Sequence, residues 1–131
     1  MKIAIKKQNI EAVINTKGAE LFSLKKDKKN YIWTVDEKFW NKTSPILFPI
    51  VGALKNNEYQ FDNKTYQLPR HGFARDLEFE VINQKEDAVT FSLKSSEKTL
   101  EVYPFQFELR ISYCLEDSKL VVKYKIINHS E

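Results

Sequence analysis

Only three arginines and two histidines occur in this chain, and two of the arginines flank one of the histidines in LPRHGFARD, residues 68–76. Arg70, His71, Arg75 and Asp76 place two permanent cations, an imidazole and a carboxylate within seven residues. An imidazole changes charge near neutral pH, so it can serve as a general acid, a base or a hydrogen-bond donor. A guanidinium presents a planar fork of N–H donors that matches oxygen-bearing ligands. A plainer account stands beside this one. A loop histidine can be a hydrogen-bonded structural residue, and Arg75 and Asp76 can pair with each other or cap a turn.

The elements around this stretch read as strands. In FQFELRISY, Phe105, Phe107, Leu109, Ile111 and Tyr113 alternate with polar residues. After the EDS turn, Leu120, Val122, Tyr124 and Ile126 alternate again. This predicts two antiparallel strands, near 105–113 and 120–126, with their apolar faces packed inward. Leu77, Phe79 and Val81, a polar turn at 84–87, and Val89, Phe91 and Leu93 repeat the pattern. Tyr59 and Phe61, the Asp62-Asn63 turn, and Tyr66 and Leu68 predict a tight hairpin. The N-terminal segment reads as three short strands, with a turn at Lys17-Gly18 before the third. Helix signals are weak; the best is one short turn starting at Asp36 in TVDEKFW. The expectation is one all-β unit over residues 1–131, an antiparallel sandwich or barrel.

Two segments break the alternation. SPILFPIVG, residues 44–52, is apolar on consecutive positions but carries Pro45 and Pro49, which cannot donate to a sheet ladder. A buried, mostly extended passage is expected there. LPRHGFARD is the second: Pro69 ends the hairpin strand, Gly72 permits a positive φ or a close backbone approach, and Phe73 can anchor the loop. Loops carried on rigid β scaffolds are where binding and catalytic groups collect. Trp33, Phe39, Trp40 and Phe48 are expected in the core rather than on a sugar-stacking platform.

Composition narrows the classes of function. The net charge of +3 is modest, and the lysines, including KKDKK at 25–29, are spread among acidic residues. That is a solvated surface, and no nucleic-acid partner is expected. No run approaches the ~20 apolar residues of a membrane span, and MKIAIKKQNI has no apolar signal region, so a cytoplasmic protein without a membrane partner is the default. The single cysteine, Cys114, is read as a small buried or half-buried apolar residue. His129, in INHSE, shows no partner nearby in sequence. No His/Cys/Asp cluster has metal-ligand spacing, and neither a phosphate-binding glycine loop nor a nucleophile elbow occurs.

The ordered set KGAELFSL, YIW, FW, SPILFPIVG, YQL, RHGFARD and YPFQFELRISYCLEDSKLVVKYKIIN resembles the aldose 1-epimerase (galactose mutarotase-like) family along the whole chain. It is most similar to the LacX-type and hexose-6-phosphate epimerase branches. PILFPIVG followed about twenty residues later by RHGFARD is the specific part. The resemblance implies a large β-sandwich and a carbohydrate isomerase that interconverts the α and β anomers of a free or phosphorylated aldose, with no metal and no organic cofactor. It implies His71 as a catalytic-site residue that binds and polarises the sugar. It implies Arg75, with Arg70 beside it, as holding sugar hydroxyls or a phosphate. Family chains are about twice this length, and their second histidine and catalytic glutamate come later than residue 131. The expectation is therefore an N-terminal portion that lacks full activity and self-associates through exposed sheet edges. The alternative is a non-catalytic carbohydrate-binding or interaction module on the same scaffold.

Overall fold

The computed structural model describes residues 1–131 and is all-β apart from one short α-helix and two 3₁₀ turns. β1 (Lys2–Lys7), β2 (Ile10–Asn15), β3 (Leu21–Lys26) and β4 (Lys29–Asn30) form one antiparallel sheet in chain order. β5 (Glu58–Phe61) and β6 (Lys64–Gln67) make a separate hairpin. Its turn residues Asp62 and Asn63 both adopt positive φ, the conformation a two-residue hairpin loop needs. β7 (Glu80–Gln84), β8 (Ala88–Lys94), β9 (Phe107–Glu116) and β10 (Lys119–Asn128) form the second four-stranded sheet, in the order β10-β9-β8-β7.

Alternation decides which side chains form the core. Ile3 and Ile5 on β1, Ile10, Ala12 and Ile14 on β2, and Leu21 on β3 meet Val89, Phe91 and Leu93 of β8 and Phe107, Leu109, Ile111, Tyr113 and Leu115 of β9. Each large apolar side chain so buried contributes ~1.5–3 kcal/mol. The Tyr113 hydroxyl reaches across and donates to the Ala19 carbonyl at 2.6 Å. Burial pushes the pKa of this phenol up, so it stays a neutral donor. Backbone bonds from Lys6 N–H to the Glu86 carbonyl (2.7 Å) and from Phe79 N–H to the Thr16 carbonyl (3.0 Å) stitch the two sheets together at their margins.

Several expectations are corrected by the structure. The apolar residues of β10 are not all packed inward: Tyr124 and Ile126 are 60% and 62% exposed. They pair in register with Ile111 and Leu109 of β9, but they border an open apolar cleft of about 480 Å³ toward Ser44–Phe48. Alternation fixes which residues share a face, not whether another layer covers it. Trp33, Phe39 and Trp40 are also not core residues; Phe39 is 79% exposed, and Trp33 turns its indole N–H onto the Trp40 carbonyl at 3.2 Å. They lie on a strand-free segment outside both sheets. Of the four aromatics, only Phe48 is buried. Asp36 starts a hydrogen-bonded turn, closed by Trp40 N–H to the Asp36 carbonyl at 2.8 Å, and not a helix.

The one helix, α1 (Glu97–Val102), was not expected from the sequence. Ser96 caps it in a reciprocal box with Thr99. SSEKT holds threonine where the usual glutamate or glutamine would mark such a box. Cys114 is half-buried on β9, as expected. No helix is long and apolar enough to cross a membrane.

Candidate functional site

The SPILFPIVG passage and the RHGFARD loop lie against each other because one carbonyl serves both. The Phe48 carbonyl accepts from Phe73 N–H (3.0 Å) and Ala74 N–H (3.2 Å), and Phe48 and Gly72 form a parallel bridge. Gly72 sits at φ +71°, and a Cβ there would collide with the Phe48 carbonyl and the Pro49 ring. Only glycine fits such an approach. Beneath the loop, the Phe48 ring lies 5.1 Å from Phe107 and 6.2 Å from both Phe73 and Tyr103, centroid to centroid. Phe73 anchors the loop into this aromatic cluster, as its place in the sequence suggests.

His71 is half-buried and held twice by one residue. Its backbone N–H donates to the Gly52 carbonyl at 2.8 Å, and the Gly52 N–H donates to its Nδ1 at 2.8 Å. Both residues adopt positive φ, +68° at His71 and +81° at Gly52.

Arg75 stands on a short 3₁₀ turn, Ala74–Asp76. Its Nη2 donates to the Arg70 carbonyl at 3.0 Å, which closes the loop around His71. Its Nε lies 3.6 Å from Asp76 Oδ2. The pairing of Arg75 with Asp76 that the plainer account anticipates is thus present, and it leaves part of the guanidinium fork uncommitted. The Arg70 side chain is exposed, and only its carbonyl takes part in the loop. The three candidate residues are therefore gathered in one loop, with the aromatics beneath it rather than around it. The apolar cleft shares Phe48 with this loop, but neither His71 nor Arg75 lines it.

Supporting residues extend further than the motif. Gly18 packs on the back of the site: a Cβ there would stand 2.8 Å from the Arg75 carbonyl oxygen. Its N–H donates to the Leu77 carbonyl at 2.7 Å. Glu20 is buried, and its Oε1 accepts from Thr43 N–H (2.8 Å), Thr43 Oγ1 (2.8 Å) and Ser44 N–H (3.0 Å). That carboxylate fixes the start of the passage leading to Phe48.

A second polar cluster lies on β9, outside the loop. Glu108 is buried and accepts from Ser92 Oγ (2.8 Å), Arg110 Nε (2.7 Å) and Arg110 Nη2 (2.9 Å). These bonds, Arg110 first, hold its carboxyl down at about 2. His129 does have a neighbour after all: its Nε2 lies 3.8 Å from Glu108 Oε2. No three His, Cys, Asp or Glu side chains gather where they could hold one metal ion.

Comparison with known proteins agrees with the motifs. The family model for aldose 1-epimerase matches residues 1–131. The chain is 36% identical over 134 aligned positions to the chromosomal LacX protein of Lactococcus lactis, covering 98% of this chain and 45% of LacX. It superposes on a galactose mutarotase related enzyme from Lactobacillus acidophilus with a TM-score of 0.97 and 42% identity, covering 99% of this chain and 44% of that one. A galactose mutarotase-like protein from Lactobacillus casei gives a TM-score of 0.96 and 39% identity, with 99% and 45% covered. The chain thus spans a little under half the length of these relatives, and by sequence and by fold it belongs to the aldose 1-epimerase family.

Proposed function

We propose that residues 1–131 form the N-terminal portion of a galactose mutarotase-like domain, and that the His71 loop is one wall of a site where the anomers of an aldose interconvert. The observation that carries this reading is the double clasp between Gly52 and His71. It fixes an imidazole in a loop whose glycine and aromatic contacts leave it little freedom to move.

Mutarotation opens and recloses a sugar ring. A base removes the proton of the C1 hydroxyl while an acid protonates the ring oxygen; the C1–C2 bond turns, and the ring closes on its other face. The two proton-transfer groups must stand on opposite sides of the sugar. In this reading His71 binds and polarises one sugar oxygen. Arg75, with N–H groups left over from Arg70 and Asp76, holds hydroxyls or a phosphate, and Arg70 lies at the exposed rim.

The test is polarimetry on a hybrid protein: this chain followed by the part of LacX that lies beyond the matched region. With a freshly dissolved single anomer, His71→Ala should slow interconversion roughly 10²–10³-fold, the range for removing one positioned hydrogen-bond donor. An unchanged rate would remove His71 from the mechanism.

A further inference from the structure

We propose that Gly52 is a positioning residue, whose backbone N–H makes His71 a one-sided donor toward the ligand. The inference rests on the reading of the loop as a sugar site, and it names the kind of sugar atom that His71 meets.

A neutral imidazole carries one N–H and one bare nitrogen, and the hydrogen bond made by one decides the state of the other. The Gly52 N–H donates to Nδ1 at 2.8 Å, so Nδ1 is the bare nitrogen and the proton sits on Nε2. The reciprocal bond, His71 N–H to the Gly52 carbonyl at 2.8 Å, keeps the two backbones in step. A sliding of either loop would break both bonds together. None of the protein's own hydrogen bonds engages Nε2.

Two consequences follow for chemistry. The ligand atom that meets His71 is an oxygen offering a lone pair: a ring oxygen, a hydroxyl accepting a bond, or a phosphate oxygen. His71 does not take the C1 proton, because its only bare nitrogen is occupied by Gly52. It does not hand over the Nε2 proton either, since that would leave an imidazolate. Its part is to polarise an oxygen, and both protons are moved by other groups. Gly52 itself touches no sugar.

The sequence offers a reason for glycine at this place. A Cβ on Gly52 would meet nothing within 4 Å, so space does not require glycine; the φ of +81° does. That φ is part of the backbone path that sets the Gly52 N–H and its carbonyl where both can meet His71.

The experiment is the imidazole nitrogen spectrum of the ¹⁵N-labelled chain above neutral pH, recorded without and with saturating aldose. Two histidines contribute, and His129→Gln identifies the signals of His71. The expected result is a His71 proton fixed on Nε2, with the Nε2–H signal moving when sugar is added. A semisynthetic chain with glycolic acid in place of Gly52 replaces that N–H by an ester oxygen and keeps the backbone path. It should show mixed His71 tautomers and weaker sugar binding. A proton on Nδ1, mixed tautomers in the unmodified chain, or an ester form with the tautomer unchanged would overturn the role of Gly52 whatever the sugar does. A fixed Nε2–H tautomer that neither an aldose nor an aldose phosphate disturbs would overturn the sugar-facing role and leave the tautomer lock standing, which separates the two failures.

Discussion

The backbone carbonyl of Phe48 occupies the space where any side chain on Gly72 would begin, and it accepts the N–H groups of the two residues that follow Gly72. Gly72→Ala should therefore combine positive-φ strain with backbone displacement and cost about 2–4 kcal/mol of stability. Urea unfolding of the two forms checks this. A loss below about 0.5 kcal/mol would mean that the loop relaxes without consequence.

This contact holds together two motifs about twenty residues apart in sequence. The strands that frame them were legible because period two is a strong signal, and the turns at Lys17-Gly18, Asp62-Asn63, 84–87 and EDS fell where expected, whereas the short β4 after Asp27-Lys28 was not foreseen. The loop stood out in the sequence as an unusual concentration of arginine around His71. Glu20 and Gly52 were not visible as site supports. Both act through hydrogen bonds to residues 19 to 24 positions away, and such bonds have no local signature. The exposed faces of Trp40 and Ile126 were misread for a related reason: hydrophobicity marks what can be buried, while coverage depends on which layers come to lie there.

The Glu108 carboxyl gives a pH prediction. Its pKa is lowered to about 2, first by Arg110 and then by Ser92, against 4.5 for the free group. A folded pKa below the unfolded one means that this group's contribution is fully present above about pH 4.5. It is lost as pH falls from there toward 2. Glu108→Gln should flatten the stability–pH curve across that window, measured by denaturant midpoints at successive pH values. An identical slope in both proteins would contradict the assignment.

Self-association should run through the apolar face of β10 and not its edge. Lys119, Lys123 and Lys125 are exposed along this edge strand, which opposes edge pairing, whereas Tyr124 and Ile126 stand open beside the cleft. Light scattering should find a dimer or larger species for this 131-residue chain and a monomer for Tyr124→Lys/Ile126→Lys. A monomeric parent chain would refute it.

Anomer exchange by this chain alone should match buffer. Ring opening needs two groups around one sugar, and the carboxylate nearest His71 in sequence, Asp76, is exposed and faces Arg75. Losing one positioned proton-transfer group removes roughly 10²–10⁴-fold in rate, at about 1.4 kcal/mol per tenfold. Exchange spectroscopy between the two anomeric protons reads the rate directly. Turnover well above buffer would reveal proton-transfer groups within residues 1–131 other than His71.

The central claim is that the His71 loop is a sugar-binding surface. Amide and side-chain NMR shifts during titration with a free aldose, and separately with its 6-phosphate, test it most directly. The account predicts saturable shifts at Gly52, His71 and the Arg75 guanidinium that disappear in His71→Ala while the fold persists. Shifts confined to the exposed aromatics around Trp33 and Trp40, or no shifts with either sugar, would contradict it.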